Sequence, residues 1–173
     1  MIKKQNKKGF TLVELLIVIA ILGTLAVVVL LALDPIQQLA RTRDAGRKSG
    51  VTQLGHAVTA YATTHNGTPP AELNWSTTLV TGGEIQVAPS AIAYSVTGSA
   101  ACTSNPVNGT WCYDISGINF VVYARLESKS SLSLCTAGQV AFTAFSSLNA
   151  RGGTVCAAAG TTTLAPATLT FVD

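Results

Sequence analysis

Charge is scarce in this chain. Asp, Glu, Lys and Arg make up 11% of its 173 residues, and the run from Leu15 to Leu33 carries none. No C-x-x-C occurs, and His56 and His65 lie far upstream of the four cysteines, so the usual zinc-ligand spacings are missing. The two histidines fall on or at the end of one expected helix and read as surface polar groups. Asp114, Glu127 and Asp173 are scattered, without the spacing of an acid–base pair, and no run of Asp and Asn offers calcium ligands. Gly82-Gly83 and Gly152-Gly153 belong to no phosphate-loop pattern and read as turn formers. These absences leave no catalytic constellation, no metal site and no cofactor site. An enzyme is not expected.

The net charge of +3 misleads. Lys3, Lys4, Lys7 and Lys8 all precede Gly9, and without them 7 bases face 8 acids. That balance does not supply the basic field nucleic-acid binding requires, so no direct nucleic-acid binding is expected.

What is present is a basic leader ahead of a long apolar run. Lysines before such a run hold the N-terminus in the cytoplasm and place the rest of the chain outside. A cleaved secretory peptide has an apolar region of about 7–15 residues and a small-residue cut site. Here the run is longer, and Ala32-Leu33-Asp34-Pro35 is a poor site. A single-pass anchor fits the length, since Phe10 to Leu33 makes roughly 36 Å of helix. Neither reading accounts for Gly9 or for Glu14, a carboxylate whose burial in hydrocarbon costs about 2.5–3.5 kcal/mol on insertion scales.

The stretch Lys7-Lys8-Gly9-Phe10-Thr11-Leu12-Val13-Glu14-Leu15 resembles the class III signal of type IV pilins and pseudopilins. The resemblance implies that a membrane-embedded prepilin peptidase cuts after Gly9, removes only the basic leader and N-methylates Phe10. Removing nine of the 173 residues leaves a mature chain of 164, with Glu14 as its fifth residue. The physics of the segment agrees. Cleavage creates an amine on Phe10, and that charge, buried among apolar helices, needs a partner such as Glu14 of an adjacent subunit. Such a pair adds little net stability but fixes register, because either charge left alone is costly. A constant axial offset repeated between helices builds an open helical array.

Val51, Leu54, Val58 and Tyr61 recur at helical spacing, with Ser49, Thr52, Gln53, His56 and Thr59 on the polar side. The helix is expected to end near Asn66-Gly67, with Pro69-Pro70 preventing its continuation. A kink or loosened turn is expected at Asp34-Pro35, with Gly23, Gly46, Gly50 and Gly55 as further weak points. The order Ala40-Arg41-Thr42-Arg43-Asp44, then Tyr61 and Asn66-Gly67 before proline, also resembles pseudopilins and related pilins. Pro35, however, stands four residues later than the kink proline common in major pilins. Arg41, Arg43, Arg47 and Lys48, with Asp44 beside them, read either as a solvated face near anionic headgroups or as intersubunit charges.

After Ala71 the composition shifts to Ser, Thr, Gly and short β-branched runs. Ala91–Val96 and Asn119–Leu126 read as strands, with Leu132–Cys135, Gln139–Phe145 and Leu169–Val172 as further strand candidates. Alternation within Asn119–Leu126 suggests partial burial on both faces. Cys102, Cys112, Cys135 and Cys156 favour two disulfides in an exported chain, with Cys102–Cys112 and Cys135–Cys156 preferred among three possible pairings. Three N-x-[ST] sequons, at Asn66, Asn74 and Asn108, read as loop composition.

The expected fold is α+β: a long N-terminal helical stalk, half transmembrane and half amphipathic, packed on a small antiparallel sheet. The expected division is 1–9 leader, 10–33 membrane and filament-core helix, 34–66 amphipathic stalk, and 67–173 disulfide-bonded head. The resemblance implies a filament subunit in the cytoplasmic membrane as a precursor and at the cell surface once assembled. Its partners are then copies of itself, other pilins, the prepilin peptidase, a membrane assembly platform and, before assembly, the bilayer. Three roles stay open: a surface pilus for adhesion, twitching motility or DNA uptake; the pseudopilus of a type II secretion system; and an uncut, membrane-anchored binding module that does not polymerise.

Overall fold

A computed structural model describes residues 9–95, 102 and 106–173. The fold is α+β. Four helices, α1 (Leu12–Leu33), α2 (Pro35–Thr64), α3 (Trp75–Thr81) and α4 (Lys129–Leu132), accompany four strands: β1 (Cys112–Ser116), β2 (Asn119–Arg125), β3 (Gln139–Ser146) and β4 (Arg151–Ala158). The chain forms two compact units, Met1–Gln38 and Leu39–Asp173.

In the first unit α1 is apolar on every side apart from Glu14 and Thr24, and none of its residues is buried. By length and composition it can cross a membrane. Asp34 ends it in a left-handed conformation (φ 39°), and α2 restarts at Pro35, where a missing N–H costs no helical bond. The loosened turn expected at Asp34-Pro35 is therefore present, and the Asp34 carbonyl accepts the Gln37 and Gln38 N–H groups at 3.0 and 3.3 Å.

The second unit is built on α2 from Leu39 onward. Val51, Leu54, Ala57 and Val58 pack with Trp75, Leu79, Trp111, Tyr113, Phe120, Val122, Ala124 and Phe145 into the main core, and Tyr61 closes its edge. Gly50 and Gly55 let the helix approach closely, because a methyl on either would fall inside the rings of Trp111 or Phe145. They are points of close contact as well as positions of low helix propensity. α2 ends as the sequence predicts: Asn66 and Gly67 take φ of 55° and 80°, and the Gly67 N–H donates to the Ala62 carbonyl at 2.8 Å.

The sheet is antiparallel in the order β1-β2-β3-β4, with Cys112 opposite Tyr123, Val122 opposite Phe145 and Phe142 opposite Val155. Alternate residues of β2 face opposite cores. Phe120, Val122 and Ala124 face α2, while Val121 and Tyr123 join Cys112, Val140, Phe142, Ala144, Val155 and Leu164 in a second cluster. Cys102–Cys112 and Cys135–Cys156 are disulfide-bonded, with Cα separations of 5.9 and 5.5 Å.

Three strand expectations need correction. Residues 91–95 form no strand, because the Ile92 N–H goes to the Thr110 hydroxyl, and the Ile92 and Ala93 carbonyls accept from the Arg47 guanidinium. The sixth residue of that candidate, Val96, lies outside the described residues. Leu132–Cys135 closes the short helix α4 with a run of turn hydrogen bonds, since Ser128 caps that helix through the Ser131 N–H. From Leu169–Val172 only Phe171 pairs, in a single bridge to Val155, although Val172 also donates its N–H to Thr154.

β4 was hidden by Gly152-Gly153, which lie inside the strand rather than in a turn. A side chain at Gly153 would collide with Asp173 and Phe171. Asp173 accepts the Thr154 N–H and hydroxyl, each at 2.6 Å, and its backbone carbonyl accepts from Arg151.

Candidate assembly and processing site

Gly9 and Phe10 precede α1 and are exposed, Phe10 to 79%. Thr11 is the helix N-cap. Its hydroxyl accepts the Glu14 N–H at 3.2 Å, while Glu14 Oε2 accepts the Thr11 N–H at 2.9 Å and the Thr11 hydroxyl at 2.7 Å. This reciprocal capping box satisfies two donors at the start of the helix and places an acid where the helix dipole favours it. The Glu14 carboxylate bonds only Thr11 among the described residues, so its in-chain bonding is local to one turn.

The five charges read as possible intersubunit contacts divide sharply. Arg43, Asp44 and Arg47 are engaged inside their own chain, whereas Arg41 and Lys48 are exposed and make no ion pair among the described residues. Arg47 is fully buried and donates from Nη1 to Asp44 Oδ1 at 3.0 Å and to Glu127 Oε1 at 3.1 Å. Its Nε has no hydrogen-bond partner, but the guanidinium lies 4.0 Å from the Tyr94 ring centroid, an attractive placement for a cation. Arg43 donates to the same Glu127 oxygen at 2.5 Å and to the Ser95 hydroxyl at 2.6 Å. Asp44 accepts the Glu127 and Ser128 N–H groups and the Ser131 hydroxyl. Two cations and two carboxylates thus close on each other, which is what keeps buried charge tolerable.

Glu127 balances opposing influences. Burial pushes its carboxyl up, but the Arg43 guanidinium, the Ser95 backbone N–H and Arg47 outweigh burial and hold it at about 2. Asp114 lacks such help, and burial raises it despite the Ile115 N–H.

Sequence reasoning left Glu127 among the scattered acids. One signal was available, because the apolar stripe at Val51, Leu54 and Val58 runs back in the same phase through Arg47, Asp44 and Ala40, all buried. Charges on a buried stripe require partners. His56 and His65 are exposed; His56 meets the Phe145 ring edge-on at 5.1 Å and His65 stacks on Tyr61 at 3.8 Å.

Residues 4–30 match the family model described as the prokaryotic N-terminal methylation motif. That segment is the class III signal peptide of type IV pilins and pseudopilins. The match supports a precursor of that type and points to a structural subunit. It implies processing by prepilin peptidase and assembly with other pilins, and with the apolar α1 it fits a membrane-anchored precursor and a pilus-type surface filament. No curated protein and no solved structure matches the chain.

Proposed function

We propose that this chain is a structural subunit of a type IV pilus-like extracellular filament. Prepilin peptidase cuts between Gly9 and Phe10 and the new amine is methylated. The precursor waits in the cytoplasmic membrane with its N-terminus inside and its head outside. On assembly, α1 leaves lipid for the packed helices of the filament core, and the Phe10 amine of one subunit meets Glu14 of a neighbour. The disulfide-bonded head forms the outer surface.

One observation carries this reading. Glu14 is the sole ionisable group between Phe10 and Leu33, and it sits inside the matched motif on a helix with no buried residue. A surface that its own chain leaves uncovered is available to lipid and then to other copies. A pilus serving adhesion, twitching motility or DNA uptake is favoured by the Ser/Thr-rich head with two disulfides. The second reading is a type II secretion pseudopilin, favoured by the Arg41–Asp44 stretch.

Mass spectrometry of the native N-terminus tests the processing step, with methylated Phe10 the expected start. Met1, or any start other than Phe10, would sink the reading. Glu14→Ala should mature normally yet yield few sheared filaments. Wild-type filament yield from that variant would remove the charge-register account.

A further inference from the structure

The second unit is electrically polarised across its sheet. Asp44 and Glu127 are neutralised by Arg43 and Arg47, and Asp173 is bound to Thr154 with Arg151 and Lys48 nearby. Three acids remain without an ion pair among the described residues: Glu72, Glu84 and Asp114. All three belong to β1 or to the segments around α3, whose Trp75 stacks on Tyr113 of β1. Asp114 is on the edge strand β1, and Glu72, on the turn that packs against β1, acts with it on the buried Tyr113. Glu84 follows α3, whose end meets α2 where Tyr61 sits against Gly82.

Arg41 and Lys48, exposed and in no ion pair among the described residues, lie toward the other flank. They are seven residues apart on α2, two turns along one face. Thr52, one turn beyond Lys48, sits over Gly152 of β4, and Lys48 acts on Asp173, which is bound to β4. Arg41 and Lys48 line a cleft of about 160 Å³ with Ser128, Ser130 and Ser131. Asp44 fills the back of that cleft, with its own oxygens already accepting from Arg47, Ser128 and Ser131. The opening therefore presents two cations and serine hydroxyls, a setting for a carboxylate.

We infer that the Arg41/Lys48 cleft of one head receives the Glu72/Glu84/Asp114 flank of a second copy, as a contact between neighbouring subunits. The inference rests on the filament reading above. Opposite charge on opposite flanks makes the contact heterologous, so each copy uses both faces and the series does not close. Complementary charge of this kind fixes register and rejects wrong partners more than it adds affinity.

The test uses the full-length chain in assembling cells. Arg41→Glu/Lys48→Glu forms one variant and Glu72→Lys/Glu84→Lys/Asp114→Asn another, and a third combines all five changes. Each single-flank variant is expected to lower sheared-filament yield about tenfold at unchanged levels of matured membrane protein, and the combination to return it to within about threefold of wild type. Wild-type yield from either single-flank variant overturns the inference, as does failure of the combination to restore filaments while matured protein is present. A milder pair, Arg41→Gln/Lys48→Gln, guards against misfolding and must also lower yield. If that pair instead lowers only binding to phosphatidylglycerol vesicles and leaves filaments intact, the flank is a membrane contact and the inference fails. Absence of filaments from the wild-type chain overturns the filament reading itself, a result distinct from any variant outcome.

Discussion

Arg47 Nη1 stands 3.1 Å from Glu127 Oε1, a bond that crosses 80 residues of chain to fasten α2 to the segment after β2. The same guanidinium holds the Ile92 and Ala93 carbonyls, at 3.3 and 3.1 Å. One side chain therefore joins three stretches of the head.

Arg47→Ala should leave Glu127 and Asp44 short of a buried counter-charge. Breaking one partner of a buried pair costs about 3–5 kcal/mol. Thermal unfolding of the detergent-solubilised chain, followed by near-UV circular dichroism, is expected to show a clear fall in midpoint. An unchanged midpoint would mean that Arg43 alone neutralises the cluster.

Acid should loosen the head through Glu127. Its folded carboxyl is depressed from an ordinary 4.5 to about 2, so its contribution is present above the ordinary value and is lost as pH falls toward 2. The shift corresponds to about 3 kcal/mol. Asp173 is lowered and adds the same sign, whereas Asp114 is raised and opposes it. Glu127→Gln should be less stable at neutral pH and flatter between about pH 4.5 and pH 2. Urea unfolding across that range measures both effects, and a variant slope equal to wild type would contradict the assignment.

Gly55→Ala sets two effects against each other. Helix propensity gains up to about 1 kcal/mol, but overpacking a filled core costs about 1–3 kcal/mol. A methyl at position 55 would lie within the Phe145 ring, which is itself buried on the sheet, so overpacking should win. A lowered urea midpoint with unchanged slope is the expected result, and a raised midpoint would show that Phe145 can retreat.

The helices were legible because their signals are local. The Val51–Val58 stripe, the Asp34-Pro35 break and the Asn66-Gly67 stop each depend on residues a few positions apart, and each has its counterpart in the fold. β2 and β3 were legible because their apolar runs are continuous. β4 was not, because Gly152-Gly153 serve a contact with the distant Asp173. The supposed strand at 91–95 misled for the opposite reason: its backbone N–H and C=O groups are met by the Arg47 and Thr110 side chains and not by a neighbouring strand. Glu14 was conspicuous as a lone charge, but its capping box with Thr11 went unread although the pair spans only three residues. Glu127 gave no local sign at all, since its partners are 80 or more residues upstream apart from Ser95.

The residues from Phe171 to Asp173 lie along β4, on the outer side of the sheet. An open sheet margin is a template on which foreign strands can grow, and proteins at high local concentration must blunt it. Here Val172 occupies the Thr154 carbonyl and Asp173 takes the Thr154 N–H, so the middle of that margin is already engaged. In a filament of the kind proposed, neighbouring heads would thereby be steered away from amyloid-like pairing at this edge.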